Sequence, residues 1–315
     1  MGLRSFFYKN SSAAKRAQHE LAKLKAANAS LKEKLAALKA RPPRLPLESA
    51  PAREEEFRHA LAALAADAGW QQRVTGWPEM TARIGTALSE SDIMLVKSHA
   101  QAYVGVGLSA LECLQHALRE TSAPPPRRIL DFGCGYGRVL RFLAAAWPEA
   151  EVYGTDMDAE GLGFCTHHFS CYGFRTDLEN GPRWVKPRFD LIWVGSVFTH
   201  LGVADCQRLI RHLAEFLAPG GLVVFTTHGA LAQGRMKNYD DLYRLEPAAL
   251  DAIVRDCETA GHGYADYPKR PGYGVSATSE VWVNNMIAEA GLQRRLFLPA
   301  GWAQHQDVFA AQRPS

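Results

Sequence analysis

Asp131, Gly133, Gly135 and Gly137 stand together in I-L-D-F-G-C-G-Y-G-R, with Cys134 between the first two glycines. Alternate glycines behind an acid let the backbone approach a ligand closely, and a helix starting just beyond offers it unpaired N–H groups. About twenty residues on, Asp156 closes E-V-Y-G-T-D, where a carboxylate at a strand end can accept both hydroxyls of a ribose. Met157 follows and is apolar enough to lie against an adenine face. Two histidines then end apolar runs, His200 after D-L-I-W-V-G-S-V-F-T and His228 after L-V-V-F-T-T. Imidazole titrates near neutral pH, so each is a candidate to take a proton. These residue types point to a nucleotide-like ligand with acid–base chemistry beside it.

The flanking patterns supply the elements that must position these residues. Ile129, Leu130 and Phe132 read as a short strand, and Val139, Leu140, Leu143 and Ala144 take helical spacing after the glycines. Asp158 suits the N-cap of a helix running to about Cys171. Asp190 to Ser196 is an unbroken apolar run, as expected of a central parallel strand buried on both faces. A helix is predicted over Ala204 to Leu217, a sharp turn at Ala218-Pro-Gly-Gly221, and a buried strand from Leu222 to Thr227. This rhythm predicts a doubly wound α/β sheet with its ligand at the carboxyl ends of the strands. Further on, helices are predicted over Glu246 to Cys257 and Ser279 to Ala290. Gln293 to Leu298 and His305 to Ala311 read as a closing antiparallel hairpin. Between the two helices, G-H-G-Y-A-D-Y-P-K-R-P-G-Y-G-V-S is long enough to be a binding loop or lid.

Four of these features in order resemble the class I S-adenosylmethionine-dependent methyltransferases. They are D-F-G-C-G-Y-G-R, the strand-end Asp156, D-L-I-W-V-G-S-V-F-T-H-L and L-A-P-G-G-L-V-V-F-T-T, covering Arg128 to Thr227. The resemblance implies a Rossmann-like sheet and S-adenosyl-L-methionine as cofactor. Asp131, Gly133, Cys134, Gly135 and Gly137 would surround its methionine part, Cys134 by its backbone alone. Asp156 would bind the ribose and Met157 flank the adenine. Asp177, in F-R-T-D-L-E, would sit near the adenine amino group, and Gly195 and Ser196 would line the methyl-transfer position. The implied reaction is methyl transfer to a small-molecule or glycan acceptor, on oxygen. H-Q-D-V at 305–308 and the Y-G-V-S segment are similar to methyltransferases associated with bacterial surface polysaccharide or other glycan synthesis. His200 is the first candidate base and His228 the second. Tyr103, His262, Tyr264, Tyr273 and His305 are candidate acceptor contacts. Two alternatives stay open: a non-catalytic scaffold of the same fold, and an NAD-dependent oxidoreductase, which the glycine spacing and the P-G-G turn disfavour.

Composition sets wider bounds. Hydrophobic residues make up 47% and charged residues 22%, with a net charge of +3, too little to predict nucleic-acid binding. The six cysteines show neither C-x-x-C pairs nor metal-ligand spacing, so reduced thiols, no metal and a cytoplasmic setting are expected. Three regions are predicted: 1–45, a basic heptad helix with a Pro-rich linker; 52–123, a helical cap; and 124–315, the cofactor-binding domain. In the first, Leu21, Leu24, Asn28, Leu31, Leu35 and Leu38 form a heptad seam. It suits a coiled-coil homodimer through residues 14–38. A solvated helix, or peripheral contact with the inner membrane face through Phe6, Phe7 and Tyr8, is the other reading.

Overall fold

The computed structural model describes residue 23 and residues 49–96, 99–175 and 188–315. Its contacts divide the chain into Met1–Pro46 and Leu47–Ser315, and the second unit carries the sheet, its helices and the glycine loop. The heptad seam and Asp177 lie outside the described residues.

Helices α1 (Pro51–Ala65), α2 (Ala68–Arg73), α3 (Ile93–Val96) and α4 (Ala100–Glu120) come first. Pro51 opens α1, where its missing N–H costs nothing, and Phe57, Ala60, Leu61 and Leu64 fall on one buried face. Helix α4 joins two cores. Its first half (Tyr103, Val104, Leu108, Leu111) packs with α1, while Ala110, Cys113, Leu114 and Ala117 pack against the sheet.

The sheet then builds from β1 (Arg128–Phe132), α5 (Leu140–Ala146), β2 (Glu151–Thr155), α6 (Ala159–His168), β3 (Tyr172–Phe174) and β4 (Phe189–Val194). Helix α7 (Val203–Phe216), β5 (Leu217–Thr227), α8 (Ala230–Lys237) and α9 (Pro247–Ala260) follow. The chain ends with β6 (His262–Tyr267), β7 (Arg270–Thr278), α10 (Glu280–Glu289), β8 (Gln293–Trp302) and β9 (Gln306–Gln312). The main sheet has the order β3-β2-β1-β4-β5-β9-β8, parallel from β3 to β5, with β9 antiparallel to both β5 and β8. Alternate residues of the central strands enter opposite cores: Leu130, Ile192, Val194, Val223 and Phe225 on one face, Ile129, Leu191, Trp193, Leu222 and Val224 on the other. The fold is therefore the expected mostly parallel α/β sheet with a closing antiparallel hairpin. The order of β1 and β4 places the glycine loop and the end of β4 side by side, where ligands bind in such sheets.

Two local expectations are corrected. The Ala218-Pro-Gly-Gly221 turn is absorbed into β5 as an irregularity, with Phe189 paired to Leu217 and Leu191 already to Leu222. The glycine-rich stretch after α9 is an antiparallel hairpin, β6–β7, rather than an open loop. Its backbone packs too closely for side chains: a Cβ on Gly263 would lie 1.8 Å from the Ile253 carbonyl oxygen, and one on Gly274 1.9 Å from that of Ala265.

Gly137 pins the loop to its supports. Its φ is +80°, and an added Cβ would meet the Phe169 ring at 2.7 Å and Cys165 Sγ at 3.0 Å. Gly137→Ala is expected to cost about 2–5 kcal/mol, combining left-handed strain with overpacking. Urea denaturation of the purified variant checks this, and a stability within 1 kcal/mol of wild type, judged at about the scale of a surface change, would contradict it.

Candidate active site

The glycine loop leaves β1 and turns with three positive φ angles, at Gly133 (80°), Gly135 (51°) and Gly137 (80°). The amides of Gly133 and Cys134 both donate to the Thr155 carbonyl at 2.8 and 3.1 Å, tying the loop to the end of β2. Arg141, which the sequence reading passed over, ties it to the helical cap. Its buried guanidinium donates to the carbonyls of Gly137 (3.0 Å) and Tyr136 (3.3 Å) in the loop, and of Gly85 (3.1 Å) and Ala87 (2.9 Å) in the cap. Cys134 is buried, and both its neighbour Cys165 and desolvation raise its thiol pKa, so it packs and leaves its backbone to the ligand.

Three observations bear on whether this cradle fits S-adenosylmethionine. A Cβ on Gly135 would meet nothing within 4 Å, so the loop is open at that point. Asp131 is buried and its Oδ2 has no hydrogen-bond partner. An orphaned carboxylate oxygen in such a place calls for a ligand cation or donor. Burial, and then Asp156, push its pKa up to about 7, while Arg138 and the Leu140 amide pull it down. At the rim, Asp156 accepts from Gly135 N–H at 2.7 Å through Oδ2 and from Asp158 N–H at 2.8 Å through Oδ1. Each oxygen keeps a second lone pair for a ribose hydroxyl. Met157 beside it is 66% exposed, a flat apolar surface open to a base. The residues fit the group.

The end of β4 is held by a closed ring of hydrogen bonds. Ser196 has a φ of 58°, and its N–H donates to Thr226 Oγ1 at 2.8 Å. Thr226 donates to Gln306 Oε1 at 2.6 Å, and Gln306 Nε2 returns to Ser196 Oγ at 3.1 Å. Backbone held in so sparsely populated a region is often found beside functional centres. The motifs that contain Thr226 and Gln306 give no sign of this ring, and the β5–β9 pairing brings the two residues together beside Ser196. Gly195 precedes the ring, and a Cβ there would strike Trp193 Nε1 at 2.7 Å.

Strand β7 orients both candidate bases. His200, on the one-turn helix Phe198–His200, sits 2.7 Å through Nδ1 from the Gly274 carbonyl, and His228 Nδ1 lies 3.0 Å from that of Ser276. A carbonyl only accepts, so in both rings the proton is on Nδ1 and Nε2 carries the lone pair. Burial lowers the pKa of His200, so it stays an unprotonated acceptor at neutral pH. Its ring stacks on Tyr273 at 4.9 Å, with Tyr267 at 5.9 Å. Burial raises the pKa of Tyr273, and the charge of Asp156 adds to that shift. His228 lies deeper, near Tyr243 (5.0 Å) and His305 (5.4 Å). Arg235 Nη1 donates to His305 Nδ1 at 2.8 Å, which leaves His305 Nε2–H to donate to Tyr243 Oη at 3.3 Å.

His200, Tyr273, His228 and His305 thus line strand β7 with Tyr267 of the same hairpin, and Tyr243 and Arg235 are members the sequence reading missed. The other expected acceptor contacts are placed elsewhere. Tyr103 is fully buried in the cap core, where its hydroxyl donates to Asp92 at 2.7 Å. His262 is buried against Trp282 at 4.6 Å and the Cys206 thiol, and burial brings its pKa down to about 4. Tyr264 lies over Gly202 and donates to Asp266 at 2.6 Å within the hairpin. Among the described residues no group of His, Cys, Asp and Glu could hold a metal ion.

His228 makes stability depend on pH. Burial first, and then His305, depress its pKa from 6.5 to about 3. The unfolded chain takes up this proton at the higher value, so the stability tied to the neutral ring is complete above about pH 6.5 and drains as pH falls toward 3. Compared with His228→Asn, wild type should lose about 1.4 kcal/mol per pH unit between pH 6 and 4. Parallel denaturation curves at each pH check this. A difference that does not change with pH would mean the ring is charged in the folded protein.

The fold and cradle define a class: doubly wound α/β proteins that bind a nucleoside cofactor at the strand ends. Residues 109–256 match the family model described as "Methyltransferase domain". The malonyl-[acyl-carrier protein] O-methyltransferase of Methylococcus capsulatus is 34% identical over 137 residues, 42% of this chain and 47% of that protein. The trans-aconitate 2-methyltransferase of Pseudomonas paraeruginosa is 32% identical over 131 residues, 40% of this chain and 42% of that one. The chain thus matches less than half the length of these two relatives. A solved S-adenosylmethionine-dependent methyltransferase of Clostridium acetobutylicum is 12% identical, with a TM-score of 0.47 over 71% of this chain and 95% of that one. Over residues 109–256, just under half of its length, the chain is similar to methyltransferase domains. Among the described residues no helix is long and apolar enough to cross a membrane.

Proposed function

We propose that the protein transfers the methyl group of S-adenosylmethionine to an oxygen of a small-molecule or glycan acceptor. The observation that carries the acceptor side is His200. Its Nε2 lone pair is set by the Gly274 carbonyl, just beyond the end of β4, with its ring stacked on Tyr273. The bound cofactor supplies an electrophilic methyl on a sulfonium and leaves as a neutral thioether. The chain's residues then have separate tasks. The glycine loop and Asp131 hold the methionine part, Asp156 the ribose hydroxyls, and Met157 one face of the adenine. His200 Nε2 takes the proton of an acceptor hydroxyl as the carbon–oxygen bond forms and the carbon–sulfur bond breaks. Tyr243, Tyr267 and Tyr273 provide flat surfaces on which a sugar or aromatic ring can stack.

The relatives' names, malonyl-[acyl-carrier protein] and trans-aconitate, offer a carboxylate oxygen as a second acceptor type. Such an oxygen is already deprotonated and needs no base. Incubation with methyl-labelled cofactor and fractionated metabolites tests the reading. Label is expected in hydroxyl-bearing small molecules or glycans. Label on amines alone, or none in any fraction, would overturn it.

A further inference from the structure

Strand β7 holds two imidazoles, and the proposed reaction uses one. The Gly274 and Ser276 carbonyls, which take the Nδ1–H of His200 and of His228, stand two residues apart. A strand rises about 3.3 Å per residue, so the two rings are anchored roughly 6.6 Å apart along it. His200 has its task as the base. His228 is too hard to protonate for that role, because burial and then His305 bring its pKa down to about 3. What it keeps is a neutral lone pair on Nε2. The ring is only 4% exposed, yet among the described residues its one side-chain hydrogen bond is through Nδ1. A buried acceptor without a donor calls for one from a ligand.

Tyr243 supplies the complementary group. Its ring lies 5.0 Å from that of His228, with no hydrogen bond between the two among the described residues. Arg235 Nη1 donates to His305 Nδ1, and His305 Nε2–H donates in turn to Tyr243 Oη. The phenol therefore receives at its oxygen and has its own proton left to give. Burial, more than Asp241, raises its pKa, so that proton stays in place. Backbone φ angles of 47° at Tyr243 and 61° at Arg244 hold the ring there at a cost in strain. An acceptor nitrogen and a donor hydroxyl side by side select what binds between them. A carboxylate would face the His228 lone pair, and an ammonium would leave the Tyr243 proton unmet. A hydroxyl answers both, donating to Nε2 and accepting from the phenol.

We propose that His228 Nε2 and the Tyr243 hydroxyl bind a second hydroxyl of the acceptor. The acceptor is then a polyol, with one hydroxyl presented to His200 and another seated in this deeper pair. This rests on the hydroxyl-acceptor reading above and narrows it. Its consequence is specificity: a mono-alcohol leaves the His228 lone pair and the Tyr243 proton unmatched, and is rejected for that reason.

Methyl transfer from labelled S-adenosylmethionine by the full chain, run on a defined panel, tests this. The panel sets myo-inositol, glycerol and the methyl glycosides of common hexoses against cyclohexanol and 1-propanol, with malonate and trans-aconitate as carboxylates. At least one polyol is expected to be methylated with a kcat/KM at least tenfold above either mono-alcohol. Tyr243→Phe, which keeps the ring and removes the proton, should raise KM for that polyol at least tenfold and leave kcat within about threefold. An unchanged KM in that variant overturns the pair. Equal rates on polyols and mono-alcohols overturn it too, and leave methyl transfer to a hydroxyl standing. Transfer to the carboxylates alone overturns both the pair and the role of His200 as base. Transfer to no member of the panel overturns the polyol assignment, and the labelled-fraction experiment then decides the oxygen-acceptor reading by itself. The wild-type panel decides the matter even if Tyr243→Phe does not fold.

Discussion

His200→Gln is expected to lower kcat on a hydroxyl acceptor by about 10²–10⁴-fold, the usual worth of a positioned general base. The cofactor Kd should stay within about twofold, because His200 touches the acceptor side of the site. The amide can still donate to the Gly274 carbonyl, so the end of the one-turn helix should keep its place. What the variant loses is the basic lone pair that the Gly274 carbonyl leaves on Nε2. Burial lowers the pKa of this ring, so the wild-type rate should hold level through neutral pH and fall only on the acid side of the ordinary histidine range. In the variant that acid limb should vanish. Steady-state kinetics across pH, with cofactor binding measured in parallel, reads both effects. Wild-type turnover in His200→Gln would remove the base and favour an acceptor oxygen that is already ionised.

Asp156→Ala should weaken S-adenosylmethionine by at least tenfold and on the order of a hundredfold. Bonds from two ribose hydroxyls to one carboxylate are worth about 1.5–3 kcal/mol each when water is excluded, and the half-exposed rim discounts that sum. A second loss adds to the first. The same carboxylate accepts from Gly135 and Asp158 N–H groups, at 2.7 and 2.8 Å, so it holds the loop it shares with the ligand. Asp156→Asn keeps an acceptor for one of those amides and should cost less. Titration calorimetry of the two variants checks the order. Unchanged affinity in Asp156→Ala would withdraw the ribose assignment.

The shape of the candidate cofactor cradle was legible because its signals are local. A buried strand, alternate glycines and a helix start adjoin along the chain, and Asp156 marks the end of the next strand. The acceptor half is assembled from distant segments and was legible only in pieces. His200 and His228 could be picked as strand-end histidines, but what fixes their tautomers is the backbone of β7. That stretch read as a loop, since its glycines mark close backbone packing as readily as they mark a turn. Tyr103 looked available beside two glycines, yet those glycines lie within α4 and the ring faces the cap core. His262 was indistinguishable in type from His305; one is packed under Trp282 and the other is bonded to Arg235. Arg141 makes the point most sharply: only the tertiary positions of the Gly85 and Ala87 carbonyls make it a fastener.

The central claim is that the glycine loop, Asp131 and Asp156 seat S-adenosylmethionine. Titration calorimetry of the purified full chain with S-adenosylmethionine, S-adenosylhomocysteine and NAD tests it most directly. Saturable one-to-one binding of the first two and none of NAD is the predicted result. Binding of NAD, or no heat and no thermal shift with either sulfur nucleoside, would contradict it.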